Sequence, residues 1–237
     1  LGITIWAVQM IWIPLFAAGV INGIGHFWGY RTFQPEDASR NIIPWGILVG
    51  GEELHNNHHA YATSARLSSR WYEFDIGWLY IRLMEMLGLA QVKKVAPKLK
   101  LEADKTRVDL ATLQAVVTHR YEVITKYAKS VRQTCMAELH NLRAHAPTVD
   151  RRTLKRWLHI DVAALPEIER QRRDQVVSAS QTLSTVYSMR DELAAIWKRS
   201  TASKEQLVRQ LEDWCRRAEA SGIAPLQEFS RRLRCYA

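Results

Sequence analysis

Residues 3–21, ITIWAVQMIWIPLFAAGVI, carry no charged side chain, and only Thr4 and Gln9 interrupt them with polarity. At about 1.5 Å rise per residue such a run crosses a hydrocarbon layer of about 30 Å, so it predicts a transmembrane helix over about residues 3–25, despite Pro14. A buried core helix of a soluble protein would share this composition. Tryptophan placement favours the membrane: Trp6, Trp12, Trp28, Trp45, Trp71 and Trp78, six of the nine, lie in the first 80 residues. The indole ring suits an interface because its body is apolar and its N–H stays wet. The chain opens at Leu1 with neither a basic n-region nor a small-residue cleavage site, so a signal peptide does not fit, and a chain truncated at its start is expected.

The second apolar run, IIPWGILVGG at 42–51, is too short to span and reads as an interfacial or buried segment leading into a helix. Residues 71–90, WYEFDIGWLYIRLMEMLGLA, are aromatic and amphipathic, with Asp75, Arg82 and Glu85 spaced along them, and predict an interfacial helix. Lys93, Lys94, Lys98 and Lys100 follow, and the positive-inside bias puts everything after residue 25 in the cytosol.

From residue 101 only Gly222 remains of the glycines, and Leu113, Val116, Val117, Tyr121, Ile124 and Tyr127 recur at three- and four-residue steps. Several amphipathic helices are expected, broken near His145–Val149, Leu165–Pro166 and Ser221–Pro225. Residues 201–205 offer N-caps for a helix running through Trp214. Trp157, Trp197 and Trp214 are the anchors expected for a small core of its own. The fold class is thus all-α: a transmembrane helix with interfacial and cytosolic helices over 1–100, then a helical cytosolic tail over 101–237.

The formal charge of +9 sits mostly in the tail, which has 24 Lys/Arg against 17 Asp/Glu, while residues 1–100 have 9 against 7. A basic surplus can attract nucleic acid or an anionic membrane face. Because both signs are interspersed, ordinary helix solvation is the expected role, and nucleic acid an unlikely partner. Cys135, Cys215 and Cys235 are odd in number and far apart, so neither a disulfide framework nor a zinc ribbon is expected.

Four of the eight histidines, His26, His55, His58 and His59, fall within 34 residues. In Gly51-Glu-Glu-Leu-His55-Asn-Asn-His58-His59 the rings lie at i, i+3 and i+4, one face of a helix, where they can converge on a metal or a metal pair. Imidazole suits iron, zinc, copper or nickel, so ligand type does not choose the metal. A hydrolytic zinc site of the H-E-x-x-H kind is disfavoured, because Asn56 and Asn57 occupy the interval where a glutamate would act as base. Asn22 and His26 are likewise spaced i, i+4 at the cytosolic end of the spanning run. His119, His140, His145 and His159 lie scattered in the polar tail, where solvated or capping roles are expected.

The stretch Asn22-Gly-Ile-Gly-His26-Phe-Trp-Gly-Tyr-Arg31, followed by His55-Asn-Asn-His-His59, by Trp71-Tyr-Glu-Phe-Asp75 and by Leu87-Gly-Leu-Ala90, resembles the last third of membrane fatty-acid desaturases of the delta-9, stearoyl-coenzyme A type. The resemblance covers roughly residues 1–100. It implies a di-iron centre on the cytosolic face, two iron ions with His26, His55, His58 and His59 as ligands and Asn22 reaching iron through water. Glu52 is expected to orient a histidine N–H. The resemblance also implies O2-dependent insertion of a cis double bond into an acyl-CoA or acyl-lipid. An electron donor such as ferredoxin, rubredoxin or a cytochrome-b5-like protein with its reductase would be needed. The implied location is the inner membrane of a bacterium, with active site and tail cytoplasmic. The family's two earlier boxes, H-x-x-x-x-H and another H-x-x-H-H, are missing from residues 1–237, so the chain alone is expected to be inactive. The tail is similar to extensions of some proteobacterial desaturases and carries no motif of its own. The alternatives are a membrane di-iron hydroxylase sharing H-x-x-H-H and a non-enzymatic basic helical adaptor binding anionic lipid or nucleic acid.

Overall fold

The computed structural model describes residues 1–142, 149–198 and 202–237. The chain divides into two compact units, Leu1–Lys98 and Leu99–Ala237, and its architecture is all-α.

The first unit opens with one continuous helix, Gly2–Phe27, long and apolar enough by length and composition to cross a membrane. Its first part, α1 (Gly2–Pro14), gives way to a π-wound stretch over Leu15–Ile24 and then to a last turn, α2 (Gly25–Phe27). Pro14 sits at the change of winding, as expected of a residue with no N–H to donate up the helix. Residues 28–54 form turns and short extended pieces. Among them β1 (Trp45–Gly46) pairs in parallel with β2 (Phe74–Asp75). A 3-10 turn, Glu52–Leu54, leads into α3 (His55–Ala60), and α4 (Ile76–Met86) follows β2. The run at 42–51 is therefore a strand and turn feeding the box helix. The amphipathic helix expected from residue 71 begins at 76, because Asp75 turns its carboxylate onto the Trp78 N–H as an N-cap. α4 buries none of its residues.

The second unit is a helical bundle of α5 (Leu110–Thr118), α6 (Arg120–Leu142), α7 (Arg151–His159), α8 (Glu167–Ser178), α9 (Gln181–Ile196), α10 (Lys204–Ala220) and α11 (Ala224–Arg234). Leu113, Val116, Val123, Tyr127, Val131, Leu183, Val186, Leu193, Leu211 and Leu226 form a continuous core. Trp157 and Trp214 are fully buried in it, and Trp197 packs on its edge. Both buried indoles find acceptors, Glu169 at 3.1 Å and the Met189 carbonyl at 2.7 Å, as buried Trp N–H groups require. The breaks at Leu165–Pro166 and Ser221–Pro225 separate helices, and Ser203 caps α10 in a capping box with Gln206. Thr201, His145 and most of the break near His145–Val149 lie outside the described residues. Backbone bonds from Glu102 to Cys235 and from Ala237 to Lys100 tie the two ends of the unit together. His119 departs from the solvated role: it is buried at the C-terminal end of α5, and that burial lowers its pKa. His159 keeps a capping role, with Nδ1 against the Lys155 carbonyl. Cys135, Cys215 and Cys235 are free thiols.

Candidate metal centre

The box helix α3 is only six residues long, and its two faces have different tasks. Asn56 and Asn57, on the face away from the imidazoles, are buried and hydrogen-bonded. Asn56 Oδ1 accepts from the Thr32 and Phe33 N–H groups, both at 2.8 Å, and its Nδ2 donates to the Ser39 carbonyl. Asn57 donates to Glu73 at 2.8 Å and accepts from Asn41 at 3.1 Å. Glu73 also accepts from the hydroxyls of Tyr30 and Thr32 and from the N–H groups of Ser69 and Arg70. Burial, followed by the charge of Glu73, pushes the Tyr30 hydroxyl well above its ordinary pKa. A buried carboxylate that accepts this many donors offsets its desolvation and fixes its neighbours. The H-N-N-H-H pattern thus alternates ligand candidates with the side chains that anchor them.

On the other face His26, at the end of the long helix, meets the box. The Nε2 atoms of His26 and His55 stand 3.0 Å apart, and ligand atoms of His26, His55 and His59 all lie within 4.8 Å of one another. Close approach depends on Gly25, where a Cβ would stand only 3.2 Å from His55 Cδ2. His58 lies outside this group, its ring centroid 6.3 Å from that of His55 and 5.9 Å from that of His59. Asn22 is exposed.

These residues fit a metal ion. The Nε2 atoms of His26 and His55, 3.0 Å apart, are close enough to bind one ion at about 2.0–2.1 Å each. The His55 pKa is lowered to about 4, first by burial and then by the neighbouring His59, His26 and His58. The ring is therefore neutral near pH 7, the form that ligates.

The carboxylate on a ring nitrogen is Asp37, whose Oδ2 lies 2.6 Å from His59 Nδ1. Burial raises the Asp37 pKa, but the Ser39 and His59 hydrogen bonds outweigh it and hold the carboxyl below its usual range. No hydrogen bond joins Glu52 to a histidine among the described residues. Its neighbour Glu53 is the buried one, accepting from the Leu48 and Val49 N–H groups. Sequence reasoning gave Asp37, Asn41 and Glu73 no role and read Asn56 and Asn57 only as residues that disfavour a zinc hydrolase. The one available signal was position, since residues 56 and 57 occupy the opposite face of a helix whose first face is histidine.

Comparison with known proteins finds relatives of two kinds. A transposase family, DDE_Tnp_ISL3, matches residues 89–237. The chain is also 43% identical over 76 residues to delta-9 acyl-lipid desaturase 2 of Arabidopsis thaliana, a match covering 32% of this chain and 25% of the relative. It is 38% identical over 96 residues to the sn-1 stearoyl-lipid 9-desaturase of Anabaena variabilis, covering 40% and 35%. To the delta-9 desaturase-like 1 protein of Arabidopsis thaliana it is 35% identical over 124 residues, covering 46% and 40%. The chain spans between a quarter and two fifths of the length of these relatives. No solved structure matches it.

Proposed function

The chain belongs to the transposase family DDE_Tnp_ISL3 through residues 89–237, and from that membership and the desaturase relatives we propose a chain of two unlike parts. The first, over about 1–100, is a metal-binding end portion of a membrane fatty-acid desaturase. The second is a helical module that does no chemistry of its own.

The observation that carries the first reading is the approach of the His26, His55 and His59 ligand atoms to within 4.8 Å of one another beside an apolar helix of membrane-spanning length. These three rings would hold one iron, with Asn22 contributing through water, and His58 would face a second. The remaining ligands come from the family's two other boxes, so residues 1–237 alone do not turn over. Bound irons supply O2 activation and removal of hydrogen from an unactivated acyl chain. The protein's own part is to hold the imidazoles in place through the Asn56, Asn57 and Glu73 frame. The substrate is an acyl-CoA or acyl-lipid, the electrons come from a ferredoxin-, rubredoxin- or cytochrome-b5-like donor, and the site faces the cytoplasm of a bacterial inner membrane.

The test is product analysis on the protein joined to the missing boxes. Alanine at His26, His55, His58 or His59 should abolish unsaturated product while membrane insertion persists, and full product from any of these variants would refute the reading. A hydroxylated rather than unsaturated product would assign the chain to the related hydroxylases.

For residues 99–237, a metal-dependent nuclease would need clustered carboxylates to hold its ions. Among the described residues the one group able to hold a metal is the histidine cluster of the first unit. One feature favours a second reading, in which the tail binds polyanions. α7 turns Leu154, Trp157 and Leu158 into the core and exposes Arg151, Arg152, Lys155 and Arg156 on one side. Binding of DNA by residues 99–237 that weakens steeply with salt would support it.

A further inference from the structure

The loop over residues 31–41 is hydrogen-bonded to the metal-binding helix at more than one point. Arg31 Nη2 donates to the carbonyls of Pro35 at 2.8 Å and Asp37 at 2.9 Å, which curls the loop. Asp37 Oδ1 accepts the Ser39 N–H at 2.9 Å, closing an Asx turn. Ser39 in turn is gripped from the box helix, since Asn56 Nδ2 reaches both its carbonyl at 3.1 Å and its hydroxyl at 3.3 Å. The remaining carboxylate oxygen, Oδ2, meets His59 Nδ1 at 2.6 Å. Asn56 and His59 are three residues apart on α3, so the bonds form a closed circuit: Asn56 to Ser39, Ser39 to Asp37, Asp37 to His59, and back along the helix.

We propose that Asp37 is a positioning residue for metal binding. It accepts a hydrogen bond from the Nδ1–H of His59, which leaves Nε2 as that ring's lone-pair atom, and aims it at His26 and His55 before an ion arrives. The inference rests on the metal-binding reading above. His59 differs in this from the other rings of the cluster. His55 Nδ1 is buried with no hydrogen-bond partner among the described residues, and no carboxylate is bonded to His26 or His58 among them. A ligating imidazole ordinarily donates its second N–H to an acceptor, which fixes tautomer and ring orientation. Among the described residues, Asp37 supplies that acceptor to His59.

The circuit makes two substitutions behave differently. Asp37→Ala removes the acceptor and frees the ring. Asp37→Asn keeps the shape and can keep the Ser39 turn through Oδ1, but it then presents an NH2 group to His59 Nδ1. The ring must accept there, so its proton moves to Nε2, the atom that should ligate.

The experiment is Co(II) titration of the full chain in detergent, followed by its absorption spectrum, with histidine 15N shifts recorded on the metal-free protein. The wild type should bind with His59 protonated at Nδ1. Asp37→Asn should show His59 protonated at Nε2 and bind Co(II) about 10–100-fold more weakly, no better than Asp37→Ala, with unchanged helix content. A merely structural role predicts that Asp37→Asn binds like the wild type, and that result would overturn the proposal. Failure of the wild type to bind Co(II) would instead sink the metal-binding reading itself.

Discussion

The two units hide opposite kinds of side chain. In residues 1–98 the buried apolar side chains among those described are Ile21, Phe33, Pro35 and Leu54, whereas Thr32, Ser39, Asn41, Glu53, His55, Asn56, Asn57, Ser68, Glu73 and Asp75 are buried polar groups. The same unit leaves Trp6, Trp12, Trp28, Trp45 and Trp71 exposed, the last at 94%. The second unit reverses this, with a core of Leu, Val, Trp and Tyr and few large apolar side chains outside. An apolar core is held by water's exclusion and stands alone in water. A frame of buried hydrogen bonds specifies geometry but yields little net stability per bond, so it needs its apolar surface covered by something else.

The sharpest way to break this contrast is to separate the units. Residues 99–237 should fold in water as a soluble body with cooperative melting, while residues 1–98 should remain dispersed only with detergent or lipid. Size-exclusion chromatography with and without detergent measures both. A soluble, monodisperse first unit without detergent would remove the basis for a spanning helix.

Within the bundle the next largest effect is expected at Trp214, which is 1% exposed, donates to the Met189 carbonyl and meets Tyr127 and Phe229 edge-on. Trp214→Ala should cost about 3–5 kcal/mol through lost burial and the cavity left behind. Denaturant unfolding of residues 99–237 reads it. In the first unit the comparable site is polar. Glu73→Gln turns one of two accepting oxygens into a donor facing other donors, and should cost about 2–3 kcal/mol. Hydrogen exchange in detergent should speed up at the Asn57, Ser69 and Arg70 amides, while the bundle's amides do not change. If the Trp214 and Glu73 variants had interchangeable signatures, the two units would not differ in the way described.

This contrast also explains what could be read from sequence. The long helix and the histidine face were legible because each is a local pattern, one a run of uncharged residues and the other an i, i+3, i+4 spacing. The bundle's helices followed from local periodicity in the same way, and its tryptophan anchors from ring size: Trp157 and Trp214 are buried in the core and Trp197 packs against it. Asp37 and Glu73 were not legible, since they lie 22 residues from His59 and 16 from Asn57, and only the folded chain brings them together. His119 looked solvated because it lies in the polar tail, yet at the junction of α5 and α6 it is buried. Helical periodicity in the tail carries no family, and the likeness of the tail to extensions of proteobacterial desaturases gives way to the transposase match over 89–237.

The smallest expected effect tests whether polar contacts in the bundle are as secondary as its apolar core implies. Arg234 Nε donates to Glu219 at 2.8 Å and its Nη1 to Glu212 at 2.7 Å. The Arg234 guanidinium holds the Glu219 carboxyl below its ordinary pKa, against a smaller upward effect of burial. A carboxylate with a depressed folded pKa binds fewer protons folded than unfolded, so it adds stability above its unfolded value of about 4.5 and loses it as pH falls through the folded one. Glu219 is about a third exposed, and Arg234 keeps Glu212, so the contribution should be at most about 1 kcal/mol. Glu219→Gln should therefore be slightly less stable than wild type at pH 7, and the difference should shrink toward zero as both are taken well below pH 4. His119 bends both curves: its lowered pKa also removes stability on acidification, but that loss begins near pH 6.5 and is common to both proteins, so it cancels in the difference. A difference that persisted unchanged into acid would mean that the glutamine disturbs packing, with the charge of Glu219 contributing nothing.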